Sequence, residues 1–192
     1  MLILASASPR RRELLQQIGV PHVVQAADID ETARPHEAPG DYVQRLACSK
    51  AAHIFGARRD SIPVLGADTT VAIDGLALGK PADEREHRTM FERLSAREHT
   101  VYSAVALATS AGVAVRLSVT RVVFRAVTEG ERSTYWASGE PRDKAGGYAI
   151  QGLGAIFIES IAGSYSGVMG LPLAETAALL VAAGVPIWQA GA

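Results

Sequence analysis

The sequence predicts an α/β fold, and three observations predict it. A short apolar run at the N-terminus passes directly into a segment of helical period, the opening of a strand-turn-helix unit. Further on, two stretches alternate apolar and polar residues on either side of Ser110-Ala111-Gly112, which reads as a long antiparallel hairpin. The chain has 192 residues and is 48% hydrophobic, which suits one compact domain over 1–192 or two lobes sharing a core.

The elements follow in order. Met1 to Ala5 reads as a buried strand, Ser6-Ala7-Ser8 as the connection, and Pro9 as the first residue of a helix that carries Leu14, Leu15 and Ile18 to Gly19. A second helix is expected from Asp41, with Val43, Leu46, Ala47, Lys50 and Ile54 on one face at steps of three and four. Pro63 to Ile73 reads as a strand that turns at Asp74-Gly75 into Leu76 to Leu78, because Asp-Gly between apolar runs is a strong hairpin signal. A helix after Asp83 buries Met90, Phe91 and Leu94, and the long strands Val101 to Leu107 and Val113 to Val127 come next. Thr128 and Glu131 have capping-box spacing for a helix to Ser138 with Gly139 as its stop. Beyond the glycine-rich segment Glu140 to Gly154, Ala155 to Ile161 resumes strand character. Gly163-Ser164-Tyr165 turns, and Pro172 starts the last helix.

Composition excludes several classes of function. A formal net charge of −1 gives no basic field for duplex nucleic acid, and no apolar run approaches the roughly twenty residues of a membrane span. One cysteine, Cys48, cannot close an intramolecular disulfide, and the chain opens without a charged leader, so a reducing cytoplasm is the expected compartment. His22, His36, His53, His87 and His99 lack zinc spacing. No serine sits in a Gly-x-Ser-x-Gly elbow, and the glycine-rich segment lacks the Gly-Lys-Ser/Thr ending of a phosphate-binding P-loop.

Three features carry possible chemistry, each with an ordinary alternative. Arg10, Arg11 and Arg12 occupy the first turn of a helix, where the dipole disfavours cations; they form either an anion site or a solvated basic end. Lys50 falls in the apolar phase of its helix, so it either points into a cleft or snorkels from the edge of the stripe. Asp68 interrupts the apolar run from Val64 to Val71. It is either a solvated strand-end acid or a buried carboxylate compensated by a metal, a lysine or a perturbed pKa. Lys80, just past the hairpin, could return a cation toward it, or sit in a solvated loop. Asp28, Asp30 and Glu31, with Glu140 and Asp143, add hard oxygen donors suited to Mg²⁺ or Mn²⁺, although acidic clusters are commonly just solvated.

Taken together, Ser6-Ala-Ser-Pro-Arg-Arg-Arg-Glu-Leu-Leu15, Gly66-Ala-Asp-Thr69, Gly79-Lys-Pro81, the run from Gly139 to Gly152, Gly163-Ser-Tyr165 and Gly170-Leu-Pro172 resemble, in order, the motifs of the Maf family of nucleotide pyrophosphatases. The resemblance implies an elongated mixed sheet with flanking helices and two lobes around a central cleft, related to the inosine-triphosphatase type, and often a homodimer. It implies hydrolysis of a nucleoside triphosphate to the monophosphate and pyrophosphate, with Mg²⁺ or Mn²⁺ held by Asp68 and Glu31. Asp68 would be the proton acceptor, Ser6, Arg11 and Lys50 would surround the triphosphate, and Glu31 and Lys80 would support the reacting centre. Arg10, Thr69 and Gln151 resemble the subgroup acting on dTTP and UTP rather than the sister subgroup acting on 7-methyl-GTP. A nucleotide-binding role in septum formation is also associated with the family. The third arginine, Arg12, and Arg121 depart from the commonest pattern without touching these positions.

Overall fold

The computed structural model describes residues 1–189, so the last three residues of the expected 1–192 domain lie outside the described residues. The strands are β1 (Leu2–Leu4), β2 (His22–Val24), β3 (Val64–Ile73), β4 (Leu76–Leu78), β5 (Glu98–Thr109), β6 (Gly112–Phe124) and β7 (Ile158–Ala162). The helices are α1 (Pro9–Gln17), α2 (Pro39–Gly56), α3 (Glu84–Leu94), α4 (Glu129–Ala137), α5 (Tyr165–Met169) and α6 (Leu173–Ala182). The seven strands form one sheet in the order β2-β1-β3-β5-β6-β7, with β4 also paired to β3. β1 runs parallel to β2 and β3, and every other pairing is antiparallel, which makes the sheet mixed.

Local chemistry explains most boundaries. Asp74 and Gly75 both take positive φ, 53° and 77°, the conformation a two-residue hairpin turn requires. Thr128 accepts from the Glu131 N–H while the Glu131 carboxylate accepts from the Thr128 N–H, the reciprocal bonds of a capping box. α2 starts at Pro39, before the expected Asp41: Pro39 takes the first helical position, where its missing N–H costs nothing, and Asp41 falls in the first turn. Ala155 to Phe157 belong to a 3₁₀ turn, Leu153–Phe157, instead of the expected strand, which begins only at Ile158. Ser164, expected within a turn, caps α5 by accepting from the Gly167 N–H at 3.0 Å. Among the described residues, no helix is long and apolar enough to cross a membrane.

β5 and β6 are 12 and 13 residues long, so the ladder extends about 40 Å at roughly 3.3 Å per residue. Its two ends carry different cores. At one end, Leu2, Leu4, Leu65 and Leu107 pack with α1 and α6 on one face, while α2 covers the other through Val43, Ala47 and Ala51. At the opposite end, Val71, Phe91, Phe124, Tyr135 and Phe157 pack α3, α4 and the glycine-rich turns together. β3 passes from one end to the other. On one of its edges β1 pairs with Val64 and Leu65 only, and β4 with Val71 to Ile73. Gly66 to Thr70 are therefore left without a strand partner on that edge, and the cleft opens at this gap.

Candidate active site

The cleft has a volume of about 590 Å³ and is lined by the nine residues that the family resemblance places at the site: Ser6, Arg10, Arg11, Glu31, Lys50, Asp68, Thr69, Lys80 and Gln151. They arrive from separate elements. α1 brings the arginines, α2 brings Lys50, β3 brings Asp68 and Thr69, and the loops bring the rest.

Asp68 and Lys50 are each only 7% exposed. The Lys50 ammonium donates to Asp68 Oδ1 at 2.7 Å and stands 2.9 Å from Glu31 Oε1. Of the compensators open to Asp68, the fold therefore supplies a lysine, and the lysine is Lys50. Lys80 reaches the cleft but forms no ion pair among the described residues. Burial pushes the Asp68 carboxyl above its ordinary value, even though Lys50 and Arg11 pull it down. The approach of α2 has a steric cause: a β-carbon on Gly66 would lie 2.7 Å from the Ala51 nitrogen, so only glycine lets the helix sit this close to β3.

Arg11 is strapped in place. Its Nε donates to the Gly170 carbonyl at 2.8 Å, and its Nη1 donates to the Ala67 carbonyl at 2.8 Å and to Ser6 Oγ at 3.2 Å. A guanidinium thus occupies the unpaired edge of β3 where a strand would otherwise bond. Arg10 stands 3.6 Å from Asp143, which also pairs with Lys144. The Thr69 and Ser103 hydroxyls, opposite each other across β3 and β5, are 2.7 Å apart.

The broader set of acids separates. Only Glu31 of the Asp28 to Glu31 group reaches the cleft; Asp30 accepts from the Thr32 N–H instead. α2 braces this loop, as Tyr42 Oη donates to the Glu31 carbonyl at 3.0 Å and Arg45 donates to the Thr32 carbonyl at 3.1 Å. Glu140 turns away from the cleft to bind Tyr135 and two backbone amides. No group of three or more His, Cys, Asp or Glu placed to hold a metal occurs among the described residues.

Sequence reasoning passed over Tyr42, Lys144 and Tyr148, all of which line the cleft. Tyr148 is buried, its hydroxyl 2.8 Å from His99 Nε2 and its ring edge-on to Phe124. Its signal was available: it is the aromatic in a glycine-rich run, where a ring has little to pack on unless the backbone folds back over a core.

Comparison with known proteins adds the following. The model of the family described as Maf-like protein matches residues 1–183. A dTTP/UTP pyrophosphatase of Hahella chejuensis is 51% identical over 190 residues, covering 98% of this chain and 94% of its own. Relatives of the same name in Saccharophagus degradans and Myxococcus xanthus are 51% and 53% identical, covering 98% and 99% of this chain and 91% and 96% of theirs. Among solved structures, a nucleoside-triphosphatase, dITP/XTP pyrophosphatase, from Mycobacterium abscessus aligns over 95% of both chains with a TM-score of 0.48 and 16% identity.

Proposed function

The chain belongs to the Maf-like protein family, and on that premise we propose that it hydrolyses dTTP and UTP to the monophosphate and pyrophosphate, with Asp68 as general base. The observation that carries this reading is a buried carboxylate, raised in pKa yet salt-bridged, at the stretch of β3 edge left without a strand partner, beside several cations.

The residues divide the work by position. Asp68 Oδ1 holds Lys50, while Oδ2 accepts no hydrogen bond among the described residues and is free to take a proton from water. Its raised pKa brings it nearer the working pH, where a general base is most effective. Arg10 and Lys80 line the cleft as cations for the phosphate chain, and Ser6 and Arg11 fix the wall behind it. The Asp68 and Glu31 carboxylates, which meet at the Lys50 ammonium, would hold Mg²⁺ or Mn²⁺, ions that take one or two protein carboxylates and complete their shell with phosphate oxygens and water. When bound, such an ion supplies positive charge to the phosphate oxygens. Gln151 gives the base preference: its side chain lines the cleft with no hydrogen bond to protein among the described residues, leaving a donor and an acceptor for the uracil or thymine edge.

The test is turnover of dTTP, UTP, CTP and 7-methyl-GTP, with Mg²⁺ or Mn²⁺ and after chelation, in ¹⁸O-water. Label should appear in the monophosphate, dTTP and UTP should lead, and Asp68→Asn should lower kcat by about 10²–10⁴ with folding intact. Near-normal turnover by Asp68→Asn, or 7-methyl-GTP as the best substrate, overturns the corresponding part of the reading.

A further inference from the structure

Gln151 stands at the third position of a turn closed by the Gly152 N–H donating to the Ala149 carbonyl at 3.2 Å. Its side chain is exposed to the cleft and nothing in the protein holds it, so its placement depends on how firmly the backbone to either side is held. Both sides hang from one polar pair outside the cleft. Two residues before Gln151, the Ala149 N–H donates to Tyr135 Oη at 3.1 Å. Two residues after it, the Leu153 N–H donates to Glu140 Oε2 at 3.0 Å, and the Gly154 N–H follows with Oε1 at 3.0 Å. Tyr135 Oη donates to Glu140 Oε1 at 2.7 Å and so joins the two anchors.

The surroundings leave little slack. A β-carbon on Gly152 would fall on the Glu140 carboxylate, and one on Gly154 would lie 2.7 Å from Tyr135 Oη. The Tyr135 ring is buried among Phe91 and Phe157, with centroids 5.7 and 5.1 Å away, so it cannot follow a moving loop. Burial alone would raise the Glu140 pKa, yet the donors from Tyr135, Leu153 and Gly154 hold it below its ordinary value, which keeps the acceptor ionised.

We infer that Tyr135 and Glu140 are positioning residues for Gln151 and set base selectivity from outside the cleft through the Ala149 and Leu153 amides. This rests on reading Gln151 as the group that recognises the base. Neither residue lines the cleft, so neither acts by touching the nucleotide.

Tyr135→Phe deletes the shared hydroxyl while keeping the ring, and Glu140→Gln keeps the shape of the acceptor while removing its charge. Both are compared with Gln151→Ala, and Tyr135→Phe is also placed in the Gln151→Ala background, measuring kcat and KM for UTP and CTP. Each positioning variant should lower the preference for UTP over CTP by about fivefold, the weight of one hydrogen bond, through a fall in kcat/KM for UTP with kcat/KM for CTP within about twofold of wild type. In the Gln151→Ala background Tyr135→Phe should change selectivity no further, because the group it positions is gone. A purely structural role would lower the melting temperature of both variants and leave the UTP to CTP ratio unmoved, which overturns the inference. So does an equal loss of selectivity in the Gln151→Ala background. If Gln151→Ala itself keeps the wild-type preference, base recognition by Gln151 fails and the positioning role falls with it.

Discussion

Lys50→Met tests whether Lys50 exists to hold Asp68. Methionine keeps most of the apolar stem but removes the ammonium 2.7 Å from Oδ1, leaving a carboxylate that is only 7% exposed without its cation. Breaking a buried pair in this way typically costs about 3–5 kcal/mol. The cost has a ceiling, because Asp68 can escape by taking a proton. Protonation from an ordinary value of 3.8 costs ~1.4 kcal/mol per pH unit, hence ~4 kcal/mol at pH 7 and ~2 kcal/mol at pH 5.5. The wild type already holds Asp68 above that value, so the loss stays under the ceiling. The sign is fixed: a raised folded pKa means the folded state binds the extra proton, so the penalty grows as pH rises from the unfolded value to the folded one. Urea unfolding of Lys50→Met should therefore show a greater loss at pH 7 than at pH 5.5. Adding Asp68→Asn should recover much of it, since an amide needs no counter-ion. A loss equal at both pH values, or no relief in the double variant, would refute the pairing argument and leave lost packing of the Lys50 stem as the cause.

Two further outcomes follow from titration. If ionised Asp68 is the base, kcat/KM should fall as pH drops through its raised pKa, placing the acid limb above the ordinary carboxylate value of 3.8; a limb at or below that value excludes Asp68 as the titrating group. Burial pushes His99 down to about 4, so the unfolded chain binds its proton below about 6.5 while the folded chain refuses it. Stability should then decline as pH falls from about 6.5 to about 4, by ~2 kcal/mol at pH 5 from this group, and His99→Gln should remove that part of the decline in denaturant titrations at pH 7.5 and 5.0.

Much of this was legible in the sequence where the signal was local. The Asp74-Gly75 turn, the Thr128 and Glu131 capping box and the turn of the long β5–β6 hairpin each depend on residues within a few positions of one another, and each is where it was expected, although β5 runs from Glu98 to Thr109, beyond the expected Val101 to Leu107, and β6 ends at Phe124, before the expected Val127. The short strand β2 was not legible, since three residues bonded to β1 on one side carry too little pattern to separate from a loop. The glycine-rich segment shows no helical or strand period in the sequence; it folds as three 3₁₀ turns over Glu140–Asp143, Ala145–Gly147 and Leu153–Phe157, ordered by bonds from Tyr135 and Glu140 that sequence spacing does not announce.

The candidate site was legible as a set of oddities and illegible as a set of partners. Asp68 stood out because a carboxylate in an apolar strand needs compensation, and Lys50 because a lysine in an apolar helix phase needs an outlet. That these two needs answer each other depends on how closely α2 approaches β3, and the residue that permits the approach is Gly66. Gly66 and Asp68 share a face of β3 at the two-residue period, while Ala47, Lys50 and Ala51 share a face of α2 at steps of three and four. Glycine against two alanines closes the gap between the elements, and the next position along each face then brings carboxylate and ammonium to 2.7 Å. The small residues and the charged pair are thus one device: a side chain at position 66 would push α2 away and separate the charges. Asp68 would then keep only Arg11 as a nearby compensating cation and would meet more of the cost of burial by protonation, and a protonated Asp68 is no longer a base.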